Sequence, residues 1–129
     1  AGKRNFNIEC GNDGTGIVDV QIYDGTNTQK IDSVGTIPTG SFSLITVTVT
    51  GTTLKIYING VLDKTGTITA TLAGGDNQDK FAVGNNSAPS IGAKAIIDDC
   101  AVFNRLLTVT EISNLYQGFP GGGAILALM

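Results

Sequence analysis

Between Phe42 and Leu62 the chain reads FSLITVTVTGTTLKIYINGVL, and the alternation in this stretch restricts the fold more than any other feature. Ile45, Val47 and Val49 share one face of a predicted strand, with Thr46, Thr48 and Thr50 opposite. After the turn Thr50-Gly51-Thr52-Thr53, Leu54, Ile56 and Ile58 share a face, with Lys55 and Tyr57 on the other. Strict period-2 alternation describes paired strands with one face on a core and the other face wet. Asn59-Gly60 then ends the second strand, a dipeptide suited to a two-residue hairpin turn because both positions need positive φ.

The rest of the chain supplies more short strands. Phe6 to Cys10 is one, stopped by Gly11-Asn12-Asp13-Gly14. Gly16 to Tyr23 is another, with Val18, Val20 and Ile22 inward and Asp19 and Gln21 outward. Asp24-Gly25 starts a hairpin whose return strand covers about Gln29 to Val34. Thr36 to Ser41, with Pro38 and Gly40, leads into the central hairpin, and Val61 to Ile68 continues the meander. Leu72 to Lys80 is a polar loop, Phe81 to Gly84 a short strand and Asn85 to Ser90 a loop. Ala93 to Phe103 is apolar on both faces and reads as a central strand. One helix follows. Thr108-Val109-Thr110-Glu111 matches a capping box, and Ile112, Leu115 and Tyr116 make a short apolar stripe. Short strands at close intervals and a single short helix predict an antiparallel sandwich or barrel.

At 129 residues the chain has length for one sandwich core. A net charge of −3 excludes the basic footprint of nucleic-acid binding. No segment reaches the roughly 18 apolar residues that span a membrane, so no membrane insertion is expected. AGKRNFNIEC has no apolar signal-peptide core, and the missing initiator Met fits either its removal or processing from a longer chain.

Two cysteines, Cys10 and Cys100, both fall in phase with apolar neighbours. They read as small buried hydrophobes or as a disulfide pair. With no His in the chain, a zinc site or a Ser-His-Asp triad is excluded. The only Glu residues are Glu9 and Glu111, and Glu111 is assigned to the cap. Asp98 and Asp99 are adjacent on a strand and point to opposite faces, so they cannot serve as an acid/base pair. Carboxylates in an apolar strand need partners. One of these would tie down a loop or pair with Arg105 or Lys94; a metal or ligand role is the alternative. No enzymatic activity is expected.

For Ca²⁺, which takes several oxygen ligands, Gly74-Gly75-Asp76-Asn77-Gln78-Asp79 is the best candidate loop and Asn12-Asp13 the second. Asp76 and Asp79 are the candidate metal ligands, and Asp76, Asn77, Asp79, Asn85 and Asn86 the candidate ligand-binding patch. Such clusters are also ordinary solvated turns. Gly11-x-x-Gly14-x-Gly16 precedes a strand rather than a helix, so it reads as a turn and not a phosphate loop. The tail GFPGGGAILALM places an apolar segment beyond three glycines. Ala124, Ile125, Leu126, Leu128 and Met129 are candidate assembly residues, adding a strand to their own sheet or to a neighbour's.

Three blocks carry a family resemblance. FSLITVTVTGTTLKIYINGVL, FAVGNN at Phe81–Asn86, and IIDDCAVFNRLLTVTEISNLY at Ile96–Tyr116 occur in the order and spacing of the laminin G-like, concanavalin A-like lectin/glucanase jelly-roll family. Phe42 stands where that family has Trp, and Cys100, Ala101 and Phe103 depart from its closing segment. The resemblance implies an all-β, two-sheet antiparallel jelly-roll sandwich with one short C-terminal helix. It would span residues 1–117, lacking the family's first strands, with 118–129 as glycine hinge and apolar tail. It also implies recognition or adhesion rather than catalysis, since members bind glycans, proteins or steroids and some carry one Ca²⁺. The expectation is a non-catalytic structural or adhesive module on a phage particle or bacterial cell surface, partnered by other protein subunits. The alternative is a lectin-like glycan-binding domain, with or without calcium; the lack of Trp weighs against sugar stacking.

Overall fold

The computed structural model describes residues 6–10, 14–23, 28–69, 96–118 and, for the backbone alone, 125–128. Eight strands and one helix follow in the order β1 Phe6–Cys10, β2 Ile17–Tyr23, β3 Thr28–Thr36, β4 Ile45–Thr50, β5 Thr53–Ile58, β6 Val61–Thr67, β7 Asp99–Val102, α1 Val109–Gln117 and β8 Ile125–Leu128. They build two sheets. The first is antiparallel, in the order β1-β2-β3; the second runs β6-β5-β4-β8-β7.

The central hairpin folds as its alternation dictates. Ile45 faces Ile58, Val47 faces Ile56 and Val49 faces Leu54. Asn59 at φ 53° and Gly60 at φ 79° make the turn that returns the chain into β6, which pairs Val61 with Ile58. The inward side chains of β4 and β5 meet Val18, Val20 and Ile22 of β2 and Ile31 of β3 in one buried core, closed by Ile68. Phe6, Ile8, Ile37, Val49 and Ile58 pack around its margin. Burying a side chain of this size is worth about 1.5–3 kcal/mol, so this layer is what holds the sheets together.

The outer face of the second sheet is not wet. Thr46 is 0% exposed, and Thr48 and Tyr57, on the same face, are buried too. Leu44 and Tyr57 form a second core with Leu107 and Ile112, and Ala101, Phe103 and Leu115 pack against it. Alternation reports which residues share a face, not what a distant helix later covers. Thr46 Oγ1 and Ser43 Oγ are buried here with no hydrogen-bond partner among the described residues.

The C-terminal part departs from a purely antiparallel scheme. β7, α1 and β8 form a crossover unit, in which β8 pairs in parallel with β7 from Asp99↔Ile125 to Val102↔Leu128. On its other side β8 pairs in parallel with β4, at Ile45↔Leu126 and Thr46↔Ala127. Parallel neighbours need such a crossover, usually a helix. Because β8 takes the position beside β4, β7 lies outermost in the described sheet. Its expected burial on both faces is therefore corrected: Ile96 is 78% and Val102 59% exposed.

The seam between β3 and β6 joins the two sheets by side chains. Asp63 on β6 accepts the Val34 and Gly35 N–H groups, each at 2.7 Å. Gln29 on β3 donates from Nε2 to the Thr67 carbonyl at 3.1 Å and accepts the Thr69 N–H at 2.9 Å. Between these clasps, Gly66 lies so close to Ile31 that a Cβ would stand 2.5 Å from its Cδ1. The β2–β3 register shifts near Val18, and Ser33 repairs the gap. Its Oγ accepts the Val18 N–H at 2.9 Å and donates to the Gly35 carbonyl at 2.7 Å.

Candidate functional site

Polar side chains converge at the start of α1. Thr108 is its N-cap: its Oγ1 accepts the Glu111 N–H at 3.2 Å, while Glu111 Oε2 accepts the Thr108 N–H at 2.8 Å. Arg105 then grips the same carboxylate in bidentate fashion, Nη2 to Oε1 at 2.7 Å and Nη1 to Oε2 at 3.0 Å. The Arg105 bonds foremost, with those of Thr108, pull the Glu111 pKa down to about 2. The same pairing raises that of Arg105. A carboxylate held ionised with both oxygens engaged is a poor general acid or base at neutral pH. Beside the pair lies a shallow groove of about 320 Å³ lined by Phe103, Arg105, Leu107, Glu111, Asn114, Leu115 and Gly118. Its lining is mainly apolar.

The outer face of the first sheet is the second polar region. The register places Glu9 opposite Asp19 and Asp19 opposite Asp32, with Asn7, Gln21 and Lys30 in the neighbouring row. Asn7 donates to Glu9, and Gln21 Nε2 donates to Asp19 Oδ1 at 2.9 Å. Lys30 bridges Asp32 at 3.1 Å and Asp19 at 3.6 Å. The hydrogen bond that Lys30 donates to Asp32 is the main reason the Lys30 pKa is raised. Asp19 was expected to point outward to water, but it is 5% exposed. Gln21 and Lys30 fold over it, and a carboxylate so covered needs those partners.

Asp76, Asn77, Asp79, Asn85 and Asn86, the candidate ligand and Ca²⁺ residues, lie outside the described residues, as do Asn12-Asp13 and Lys94. Among the described residues no cluster of His, Cys, Asp or Glu is placed to hold a metal ion. Gly14 and Gly16 have φ of 78° and 77° in the bend before β2, and the Gly16 carbonyl accepts the Ile37 N–H, just past β3, at 2.8 Å. Asp98 and Asp99 do not pair with Arg105, which Glu111 occupies; both are exposed, so water solvates them.

Neither cysteine is in a disulfide, and both residues are exposed, against the expectation of two buried thiols or a bridged pair. Cys10 ends β1 and Cys100 lies on outermost β7, positions that in-phase apolar neighbours do not reveal. Desolvation first, and the charge of Asp19 after it, push the Cys10 pKa up to about 11. Desolvation raises Cys100 as well. Of the candidate assembly residues, Ile125, Leu126 and Leu128 form β8 within their own chain's sheet, and Ala124 and Met129 lie outside the described residues. The cross-sheet clasps of Asp63 and Gln29 were not foreseen, because no spacing rule links a side chain to a backbone some 30 residues away.

The two sheets, with a helix packed on the second, define a β-sandwich fold. A family model described as the concanavalin A-like lectin/glucanases superfamily, of the laminin G class, matches residues 1–113, and the chain belongs to that family. The match extends well to the N-terminal side of Phe42–Tyr116, where the resemblance is read, and ends at residue 113. No curated protein matches the chain. Among solved structures, residues 221–444 of an S-layer domain-containing protein from Clostridium thermocellum ATCC 27405 superpose with a TM-score of 0.50 at 22% identity. The superposition covers 78% of this chain and 52% of that one, so the likeness is to about half of that structure and concerns the fold alone.

Proposed function

We propose that this chain is a non-catalytic structural or adhesive module that works at a surface, in an assembly with other protein subunits. One observation carries the reading: membership of the laminin G-like family over residues 1–113, in a sandwich whose described carboxylates at Asp19, Asp63 and Glu111 are engaged in holding the fold. A carboxylate that braces a strand or a helix cap is not available to flank a scissile bond. The S-layer domain-containing neighbour supports a cell-surface setting, and a phage particle is the other setting in which such modules would assemble. The test incubates the full chain with bacterial cell-wall preparations and a panel of polysaccharides. Co-sedimentation with the wall, or oligomers in analytical ultracentrifugation, with no reducing sugar released, is the expected result. Sugar release would refute the non-catalytic role, and a monomer that ignores the wall would refute the surface role.

A second reading, lectin-like glycan binding, is favoured by the outer face of the first sheet. There Asn7, Glu9, Gln21, Lys30 and Asp32 present hydrogen-bonding groups already ordered by one another. A glycan array read with calcium and with chelator tests it. Loss of a bound glycan on substituting Asp76 and Asp79 would assign calcium dependence to that loop.

A further inference from the structure

The position that β8 occupies is itself a site. β4 pairs with β5 along its whole length, from Ile45↔Ile58 to Thr50↔Thr53, whereas β8 meets β4 only at Ile45 and Thr46. β7 is joined to the described sheet through β8 alone. The strand therefore fills a slot between two others and holds one side of it by two residues. In the sequence, the segment that reaches the slot follows Gly121-Gly122-Gly123.

We propose that the slot between β4 and β7 is a strand-acceptor site, filled in the assembled state by Ile125–Leu128 of a second copy of this chain. This rests on the surface-assembly reading above and names its partner. Exchanging identical segments reproduces between copies every backbone pairing that β8 makes within one copy; only the path of the connecting residues changes. The balance between closed and exchanged forms is then set by concentration. Tethering within one chain gives a copy's own segment an effective concentration on the order of millimolar. In dilute solution that segment fills its own slot. In a packed surface layer, neighbouring segments reach a comparable concentration and compete for it. Because the pairings are the same in both forms, none of them favours the closed form once they do.

Two proteins test this, Thr46→Cys and Ala127→Cys, each in a Cys10→Ser, Cys100→Ser background; the two positions are register partners across β4 and β8. Mixed at millimolar concentration and oxidised, they should yield a cross-linked dimer containing one of each. A chain carrying both substitutions should close on itself when dilute. The unsubstituted chain is sized by light scattering from micromolar to millimolar and should shift from monomer to larger species. Absence of the mixed cross-link where the double variant closes internally overturns the proposal, and so does a chain that stays monomeric throughout. Larger species that form without a Thr46–Ala127 cross-link overturn it as well, while leaving the assembly reading intact.

Discussion

Asp63 and Gly35 sit on different sheets, yet the Oδ1 of one accepts the N–H of the other at 2.7 Å, and the second oxygen takes the adjacent Val34 N–H at the same distance. The carboxylate thus caps two backbone donors just where the β2–β3 register shifts. Gly35 makes this approach feasible, since a Cβ there would stand 2.7 Å from Oδ1. Hydrogen bonds to a charged group contribute about 1.5–3 kcal/mol, and unpaired donors at a half-buried position lose much of that. Asp63→Ala should lower unfolding free energy by about 2 kcal/mol, measured by urea denaturation at neutral pH. Gly35→Ala should act on the same contact, so the double variant should cost clearly less than the sum of the single ones. Additive costs would mean that the two residues stabilise the fold independently.

The features legible in the sequence are those set by neighbours along the chain. Asn59-Gly60 has the positive φ values that its residue types demand, and Thr108 and Glu111 cap α1 with the expected reciprocal bonds. The inward set of the central hairpin is buried as its alternation requires. What escaped depends on distant segments. Nothing in TVTVT signals that Thr46 will be buried, or in LKIYI that Ile112 of α1 will pack with Tyr57, and nothing in the apolar run before Phe103 signals that β8 will take the inner position and leave Val102 exposed. Asp19 alternates as a surface residue and is buried by Gln21 and Lys30. At the candidate site the Arg105–Glu111 grip went unread because the capping box already accounted for Glu111, leaving Arg105 to be matched with Asp98 or Asp99.

Thr46 offers a prediction of the opposite sign. Its hydroxyl is buried opposite Tyr57 without a partner among the described residues, a position where a polar atom is a liability. A valine has nearly the same shape and suits a strand. Thr46→Val should raise unfolding free energy by about 1 kcal/mol, since an unsatisfied buried hydroxyl costs roughly 1–3 kcal/mol in proteins. Thermal unfolding would show it as a higher midpoint. A lower midpoint would mean that the hydroxyl is satisfied, for example by an enclosed water.

Gly60 is constrained twice. Its φ of 79° is disfavoured for residues with a Cβ, and an added Cβ would lie 3.1 Å from Tyr116 Cβ and 3.3 Å from Ser113 Cα on α1. The hairpin turn is therefore the seat of the helix as well as a change of direction. Gly60→Ala should destabilise by about 2 kcal/mol, beyond the roughly 1 kcal/mol of the backbone effect alone. Gly51 is the control: its φ is 54° but nothing lies within 4 Å of a Cβ there. Gly51→Ala should show the backbone cost only, and equal losses at the two sites would remove the helix contact from the account.

Glu111 sets an acid limit on the helix cap. Its folded pKa of about 2 lies below the ordinary value of 4.5, chiefly because Arg105 and then Thr108 bond the ionised form. The unfolded chain therefore binds this proton more readily than the folded one, and stability gained from the group rises with pH. The contribution is fully present above about pH 5 and declines as the pH falls from 4.5 towards 2. The difference in unfolding midpoint between the native chain and Glu111→Gln should be constant near neutrality and shrink across that interval. Because the pair is exposed, salt should shrink it too. A difference that persists unchanged at pH 2 would mean that the glutamine loses a neutral hydrogen bond rather than an ionic one. Arg105→Lys should keep part of the charge attraction but lose the two-pronged grip, so its Glu111 should titrate higher, measurable by the carboxyl carbon shift in a pH series.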